Sequence, residues 1–206
     1  MTENQELITR VRQVLGRLQE GSDTQETLQA LLVVLSEVSG CESVGIRWRA
    51  DEDYPYYVTR GFGIDFVVRE GPLCARDSAG LILRFRDGTT QLACVCGAVI
   101  QGRTDPSLPY FTKAGSFWTN GTTALLRDSP PSAAGIETRN YCNEVGYESV
   151  ALVPLRAKGE PYGLLQLNSR TPGRFTREQM AWYEQVAAEI ALAAADVIDQ
   201  HRAGRQ

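Results

Sequence analysis

The sequence contains only one histidine, no export signal and no apolar segment long enough to span a bilayer. The histidine, His201, lies near the carboxyl terminus, where we expect a solvent-exposed side chain, so neither a histidine-based catalytic triad nor histidine autophosphorylation is indicated. The longest purely apolar run covers residues 30–35, whereas a membrane-spanning helix needs about 20 apolar residues. The first ten residues lack the apolar region of a secretory signal. We therefore expect a cytoplasmic protein with no membrane partner.

An excess of positive charge is also absent. The 21 lysines and arginines are outnumbered by 25 aspartates and glutamates, and the arginines are scattered along the chain. Proteins that bind nucleic acid usually gather basic residues into one patch or stripe. We therefore expect no nucleic-acid partner. A hydrophobic fraction of 43% and a length of 206 residues are typical of a single globular domain.

Two amphipathic helices are predicted before the first strand. Apolar residues at helical spacing indicate a first helix that ends near Gly21. A second helix is predicted to begin at Asp23, because Asp23 and Glu26 have the spacing of a capping box. Gly40 is suited to end this second helix.

Four strands and a final helix complete the predicted fold. Residues 43–49 and 56–59 are predicted to pair as a hairpin, and residues 149–155 and 163–167 as a second pair of strands. A capping box that begins at Thr176 indicates the start of a long last helix. This order of elements predicts an α+β fold with an antiparallel sheet flanked by helices.

Several segments resemble the GAF domain family. The segments are CESVGIR (41–47), ESVALVPL (148–155), GLLQLN (163–168) and GRFT (173–176). The resemblance covers residues 23–198, so it divides the chain into an N-terminal helix for dimerisation and signalling (1–22), the GAF domain (23–198) and a C-terminal tail (199–206). It implies a loop-roofed pocket on one face of the sheet. Relatives bind small molecules, cyclic nucleotides, haem or tetrapyrroles in this pocket.

A narrower resemblance concerns a cysteine-bearing group of GAF sensor modules in bacterial histidine kinases. The segments that carry it are CVCG (94–97), GSFWTN (115–120) and TRNYCNEVGYES (138–149). The resemblance implies a sensory module that binds a small-molecule ligand and signals to a partner protein. It also implies a homodimer formed through the terminal helices, which the apolar seams of the first and last helices permit.

Four cysteines lie within the long irregular region between residues 71 and 148. They are Cys74, Cys94, Cys96 and Cys142. In an extended segment the thiols of Cys94 and Cys96 would point to the same side. Four thiols complete a tetrahedral zinc site or hold an iron–sulfur cluster, so these residues are candidate metal ligands. The alternative is that they are separate small residues of the core.

The cysteines also permit an enzymatic interpretation. Free methionine-(R)-sulfoxide reductases are GAF proteins with pocket cysteines, and Cys96-Gly97 resembles their Val-Cys-Gly motif. Cys142 precedes its strand at about the distance of their second functional cysteine. The resemblance implies that one of these thiolates attacks the sulfoxide sulfur and the other resolves the intermediate. The histidine upstream of that motif is missing and residues 103–139 form a long insertion, so we expect a binding module rather than an enzyme.

The other candidate ligand-binding residues are aromatic or polar. Within residues 116–120, Phe117 and Trp118 form an aromatic pair among three polar side chains. This arrangement is suited to stacking on a small ligand and hydrogen-bonding it. The alternatives are that the aromatic residues anchor the loop, that Trp48 belongs to the core and that Glu148 is a solvated charge at a strand edge. The candidates are Trp48, Ser116, Phe117, Trp118, Thr119, Asn120, Arg139 and Glu148.

Overall fold

The computed structural model describes residues 3–19 and 22–203, and the domain is built on a five-stranded antiparallel sheet. The strands are β1 (Ser43–Trp48), β2 (Tyr56–Arg60), β3 (Phe117–Thr119), β4 (Ser149–Ala157) and β5 (Glu160–Ser169). Their order across the sheet is β2-β1-β5-β4-β3. The predicted α+β fold and both predicted strand pairs are confirmed. Strand β3, which extends the sheet beside β4, was not predicted.

Seven helices accompany the sheet within these residues. They are α1 (Glu3–Gln19), α2 (Thr24–Ser39), α3 (Ile64–Glu70), α4 (Cys94–Ile100), α5 (Thr122–Asp128), α6 (Tyr141–Glu144) and α7 (Arg177–Ala203), with a 3₁₀ turn at Pro131–Ala134. The Asp23 carboxylate accepts a hydrogen bond of 2.8 Å from the backbone N–H of Glu26, which confirms the predicted cap of α2. The side chains of Thr176 and Gln179 cap each other's backbone N–H groups at 3.2 and 2.8 Å, so the predicted capping box of α7 is also confirmed.

Some sequence predictions concern residues that the structure does not describe. The predicted end of the first helix near Gly21 and the tail residues 204–206 lie outside the described residues, and the side chain of His201 is likewise not described. Residues 199–203, which were assigned to the tail, continue α7. Among the described residues, no helix combines the length and apolar character needed to cross a membrane.

Side-chain alternation gives the sheet two different faces. Val44, Ile46 and Trp48 of β1 point into a core formed with α1, α2 and α7. The opposite face carries Leu164 of β5 and is covered by α3, α4 and the segments around β3. Because both faces are covered, the central strands β4 and β5 have almost continuous buried runs.

Helix α1 packs on α2 and α7 of its own chain. Its apolar residues Val11, Leu15 and Leu18 are buried in the helix-side core, and Arg12 forms an ion pair of 2.6 Å with Glu189 of α7. The apolar seam of α1 is therefore largely used within the monomer. Leu192 of α7 remains 57% exposed.

Candidate functional site

A cavity of about 60 Å³ lies on the loop-covered face of the sheet and is lined by residues of α4, α5 and α6. Its walls are mainly apolar, and they include Phe117, Val150 and Leu152. Glu70, Cys94, Cys96 and Cys142 also line it. A cavity of this size can hold a few water molecules or one compact ligand.

Helix α4 brings two of the thiols to the cavity. Both residues belong to this short helix, so the condition of an extended segment at Cys94 and Cys96 is not met. Cys94 has a φ of 63°, a conformation that is unfavourable for a residue with a Cβ and often accompanies functional sites. Both residues nevertheless line the cavity.

The cavity thiols differ in their protonation. The hydrogen bond from the Cys96 thiol, with further bonds from the backbone N–H groups of Arg139 and Val95, lowers the pKa of Cys94 to about 6. The same bond to Cys94 and burial raise the pKa of Cys96 well above its usual value. Burial and the neighbouring Cys94 raise the pKa of Cys142 to about 12. Cys94 is therefore the most acidic of the three cavity thiols.

A polar network on the sheet reaches Cys142. The Asn168 amide nitrogen lies 3.6 Å from the Cys142 Sγ, and the Gln166 amide nitrogen lies 3.9 Å from it. The Tyr56 hydroxyl donates a hydrogen bond of 2.9 Å to the Gln166 Oε1. The Arg47 guanidinium lies over the Tyr56 ring, 3.7 Å from its centre. This face of the sheet is thus polar beneath the cavity, although Arg47, Gln166 and Asn168 are buried.

Arg47 positions the end of α3 beside the cavity. Its guanidinium is fully buried and donates hydrogen bonds to the backbone carbonyls of Tyr54, Glu70 and Gly71 at 3.1, 2.7 and 2.9 Å. Two of these carbonyls lie at the carboxyl end of α3, where the helix leaves carbonyls without helical partners. Arg47 therefore holds Glu70, a residue that lines the cavity.

Glu70 is a buried carboxylate with an incomplete set of partners. The residue is 3% exposed. Its Oε2 lies 3.7 Å from the Arg139 guanidinium, which also donates to the Pro72 carbonyl at 2.7 Å. The buried Oε1 accepts no hydrogen bond from the residues that the structure describes. A buried carboxylate oxygen without a donor is costly, so a donor placed here by a ligand would be stabilising.

The predicted four-cysteine metal site is not supported. Cys74 lies apart from the cavity, in an isolated bridge opposite Leu92, with its thiol 3.6 Å from the Glu52 carbonyl. Within residues 3–19 and 22–203, no group of three or more His, Cys, Asp or Glu side chains is arranged to hold a metal ion. The sequence supplied the right number of thiols for zinc or an iron–sulfur cluster, but the fold separates Cys74 from the other three.

The predicted ligand-binding segment at β3 is divided between two environments. Phe117 lines the cavity, whereas Trp118, Thr119 and Asn120 line a neighbouring open cleft of about 520 Å³. The Asn120 side chain also bonds both backbone groups of Phe175, at 2.7 and 2.8 Å, which anchors the loop before α7. The Ser116 hydroxyl is buried and bonds the Glu184 carboxylate at 2.7 Å.

The remaining predicted ligand-binding residues also occupy different places. Trp48 belongs to the core on the opposite face of the sheet, which contradicts a role in lining this cavity. Arg139 is beside the cavity through Glu70. Glu148 accepts hydrogen bonds from the backbone N–H and hydroxyl of Thr123 at 3.1 and 2.5 Å. It therefore stabilises the start of α5.

Sequence reasoning missed Glu70 and the polar residues beneath the cavity. A signal existed in β5, where Gln166 and Asn168 alternate with leucines in a strand that is otherwise apolar. Two buried polar residues on one face of a strand indicate a polar site at that face. Glu70 had no comparable signal, because its burial depends on Arg47 and on the elements that cover α3.

Comparisons with known proteins agree with this architecture. The family model described as the GAF domain matches residues 23–194, whereas no curated protein sequence gives a significant match. The GAF domain of a phosphoenolpyruvate-protein phosphotransferase from Coxiella burnetii has a TM-score of 0.60 at 14% identity, covering 98% of this chain and 99% of that chain.

Two further structures connect the fold with sensing and with catalysis. A domain of a putative two-component sensor histidine kinase from Sinorhizobium meliloti 1021 has a TM-score of 0.55 at 12% identity, covering 90% of this chain and 99% of that one. A free methionine-R-sulfoxide reductase from Neisseria meningitidis, solved with its substrate, has a TM-score of 0.56 at 16% identity, covering 94% and 90%. Likeness at these identities establishes the fold and not the activity. Because the family model spans most of the sequence, the chain belongs to the GAF domain family.

Proposed function

We propose that this chain is a sensory GAF domain that binds a compact ligand in the cavity and signals through its terminal helices. The observation that carries the proposal is the buried Glu70 carboxylate, whose Oε1 has no donor among the described residues in a cavity with mainly apolar walls. Small-molecule sites commonly combine apolar walls with a few polar groups that orient the ligand.

The properties of the cavity limit the class of ligand. A volume of about 60 Å³ excludes a tetrapyrrole or a cyclic nucleotide from the cavity as it stands. The free oxygen of Glu70 requires a hydrogen-bond donor, and a donor with positive charge makes the stronger bond to a carboxylate. We therefore infer a small, largely apolar ligand that carries an ammonium group or a similar donor.

A matched set of small probes tests this inference. We expect n-propylammonium to bind more tightly than n-propanol or propionate, measured by NMR titration at constant ionic strength. Glu70→Gln is expected to weaken n-propylammonium binding by about tenfold or more, because a hydrogen bond to a charged group contributes about 1.5–3 kcal/mol. Glu144→Gln is the control, since Glu144 is exposed and pairs with Arg69. Equal affinities for the three probes, or an unchanged affinity in Glu70→Gln, would contradict the proposal.

The terminal helices provide a route for signalling. The sheet separates the cavity from α1 and α7, and residues of β4 and β5 contact the cores on both faces. A ligand that shifts the sheet can therefore change the packing of these helices. A partner protein, a homodimer and a cytoplasmic location remain predictions. Leu192, exposed on α7, supports an interface there.

Sulfoxide reduction is the second candidate function. Cys96 and Cys142 line the same cavity, as that mechanism requires. However, the pKa values of both thiols are raised, Cys96 by its bond to Cys94 and Cys142 by burial, so neither is a ready nucleophile at neutral pH. We expect no turnover of free methionine-R-sulfoxide with dithiothreitol as reductant. Turnover that is lost in Cys142→Ser would establish the enzyme instead.

A further inference from the structure

The cavity and the open cleft beside β3 are neighbouring spaces. Within the described part of the chain, Leu125 of α5 is the only residue that lines both of them. The ring of Phe117, which lines the cavity, also lies 5.8 Å from the ring of Tyr110, which lines the cleft, measured between the ring centres. These three side chains therefore lie at the border between the cavity and the cleft.

Helix α5 is hydrogen-bonded to the rest of the domain at its first turn. The Thr122 hydroxyl donates to the Tyr147 carbonyl at 2.6 Å, and the Thr122 backbone N–H donates to the Glu148 carbonyl at 2.9 Å. Beyond that turn, the hydrogen bonds and ion pairs of residues 124–129 with described residues stay within residues 121–129. Leu125 therefore belongs to a part of α5 that packing alone holds against the domain.

The cleft offers an aromatic surface to a ligand that extends beyond the cavity. Its volume is about 520 Å³, whereas the cavity has about 60 Å³. Trp118 and Tyr110 line the cleft, and aromatic side chains bind planar rings through stacked or edge-to-face contacts. The charged residue that lines the cleft, Asp128, already pairs with Arg127 at 2.6 Å. The cleft is thus suited to an uncharged ring rather than to a second ammonium group.

We propose that the cavity and the cleft form one joined site, which binds a primary amine that carries an aromatic ring. The ammonium group bonds the Glu70 carboxylate, an assignment that rests on the proposed function. The alkyl chain passes the position of Leu125, and the ring lies against Trp118 and Tyr110 in the cleft. Residues 124–129 move aside as the ligand enters, because no hydrogen bond from them to another described segment has to break.

A series of phenylalkylammonium ions with two to four methylene groups tests the joined site. The reference probe is n-propylammonium, and NMR titration at constant ionic strength gives each affinity. We expect the best member of the series to bind about tenfold or more tightly than n-propylammonium, because its ring leaves water in the cleft. The two probes should compete, since both need Glu70, and Glu70→Gln should weaken both by a similar factor.

The position of the ring is measured in the unmodified protein. We expect intermolecular nuclear Overhauser effects between the phenyl protons and the rings of Trp118 and Tyr110. The methylene next to the ammonium group should instead give such effects with the methyl groups of Val150 and Leu152, which line the cavity. This measurement needs no variant, so it does not depend on whether a substituted chain folds.

Two neighbouring leucines provide a matched pair of variants. Leu125→Ala removes the side chain that borders both spaces, whereas Leu126→Ala changes a residue that lines the cavity alone. A ligand that must first displace a side chain loses affinity to that step. We therefore expect Leu125→Ala to raise the ratio of phenylalkylammonium affinity to n-propylammonium affinity by about fivefold or more. In Leu126→Ala this ratio should stay within about twofold of wild type.

Several results would overturn the joined site. They are the absence of contact between the phenyl ring and the cleft residues, a phenylalkylammonium series that binds no more tightly than n-propylammonium, simultaneous binding of both probes, and the same affinity ratio in the two leucine variants. A ring that contacts Trp118 with an affinity unchanged in Glu70→Gln would also overturn it, because the cleft would then bind alone. The proposed function would survive each of these results as long as n-propylammonium binding depends on Glu70.

Discussion

Arg47→Met is expected to lower the free energy of unfolding by about 3–5 kcal/mol, the range measured when one partner of a buried charged interaction is removed. The guanidinium is buried and bonds three backbone carbonyls, two of them at the end of α3. Methionine fills similar space but donates no hydrogen bond, so these carbonyls lose a buried donor. Glu70 also loses a neighbouring positive charge. Urea unfolding followed by tryptophan fluorescence measures the change.

Arg49→Met is the matched control for this substitution. Arg49 follows β1 directly, but its side chain is partly exposed and its ion pair with Glu160 spans 3.8 Å. Pairs of this kind contribute about 0–1 kcal/mol, so the control should unfold close to wild type. Arg47→Lys should recover only part of the loss, because an ammonium lacks the planar fork that reaches separate carbonyls. Equal stabilities of Arg47→Met and Arg49→Met would show that Arg47 does not hold α3.

Gly97→Ala is expected to destabilise the protein by about 3 kcal/mol, at the upper end of typical overpacking effects. A Cβ at residue 97 would lie 2.5 Å from the Leu92 Cβ and 2.6 Å from the Leu92 carbonyl carbon and oxygen. Both residues are buried, and the contact includes backbone atoms that cannot rotate away. For a chain of this length the expected fall in Tm is roughly 6–12 °C. Differential scanning calorimetry measures it.

Gly16→Ala is the control that separates the contact between residue 97 and Leu92 from the general effect of alanine in a helix. Gly16 lies inside α1, where no described atom would come within 4 Å of an added Cβ. Alanine is about 1 kcal/mol more favourable than glycine in a helix, so this variant should be slightly stabilised. A Gly97→Ala protein that melts with wild type would mean that α4 does not pack closely against Leu92. The placement of the Cys94 and Cys96 thiols would then be in doubt.

Secondary structure could be predicted where it depends on residues that are close together in the sequence. The caps at Asp23 and Thr176 involve residues three apart, and the hairpin of β1 and β2 alternates over a few residues. Helix α4 had no such signal, since its sequence CVCGAVI is almost entirely buried and shows no apolar stripe. Strand β3 has only three residues and exists through its pairing with β4. Its formation depends on a contact some 30 residues away along the chain.

The family, the α+β class and the presence of cysteines near a pocket could be inferred from sequence, because motifs and periodicity are local properties. Which cysteines meet could not be inferred. Cys94 and Cys142 share a cavity and Cys74 does not, although the sequence offered all three as ligands of one metal. Burial of Glu70 likewise requires groups from distant segments, since Arg47 and Arg139 both contact it. Electrostatic and hydrogen-bond energies depend on separation in space, and the folded chain sets that separation.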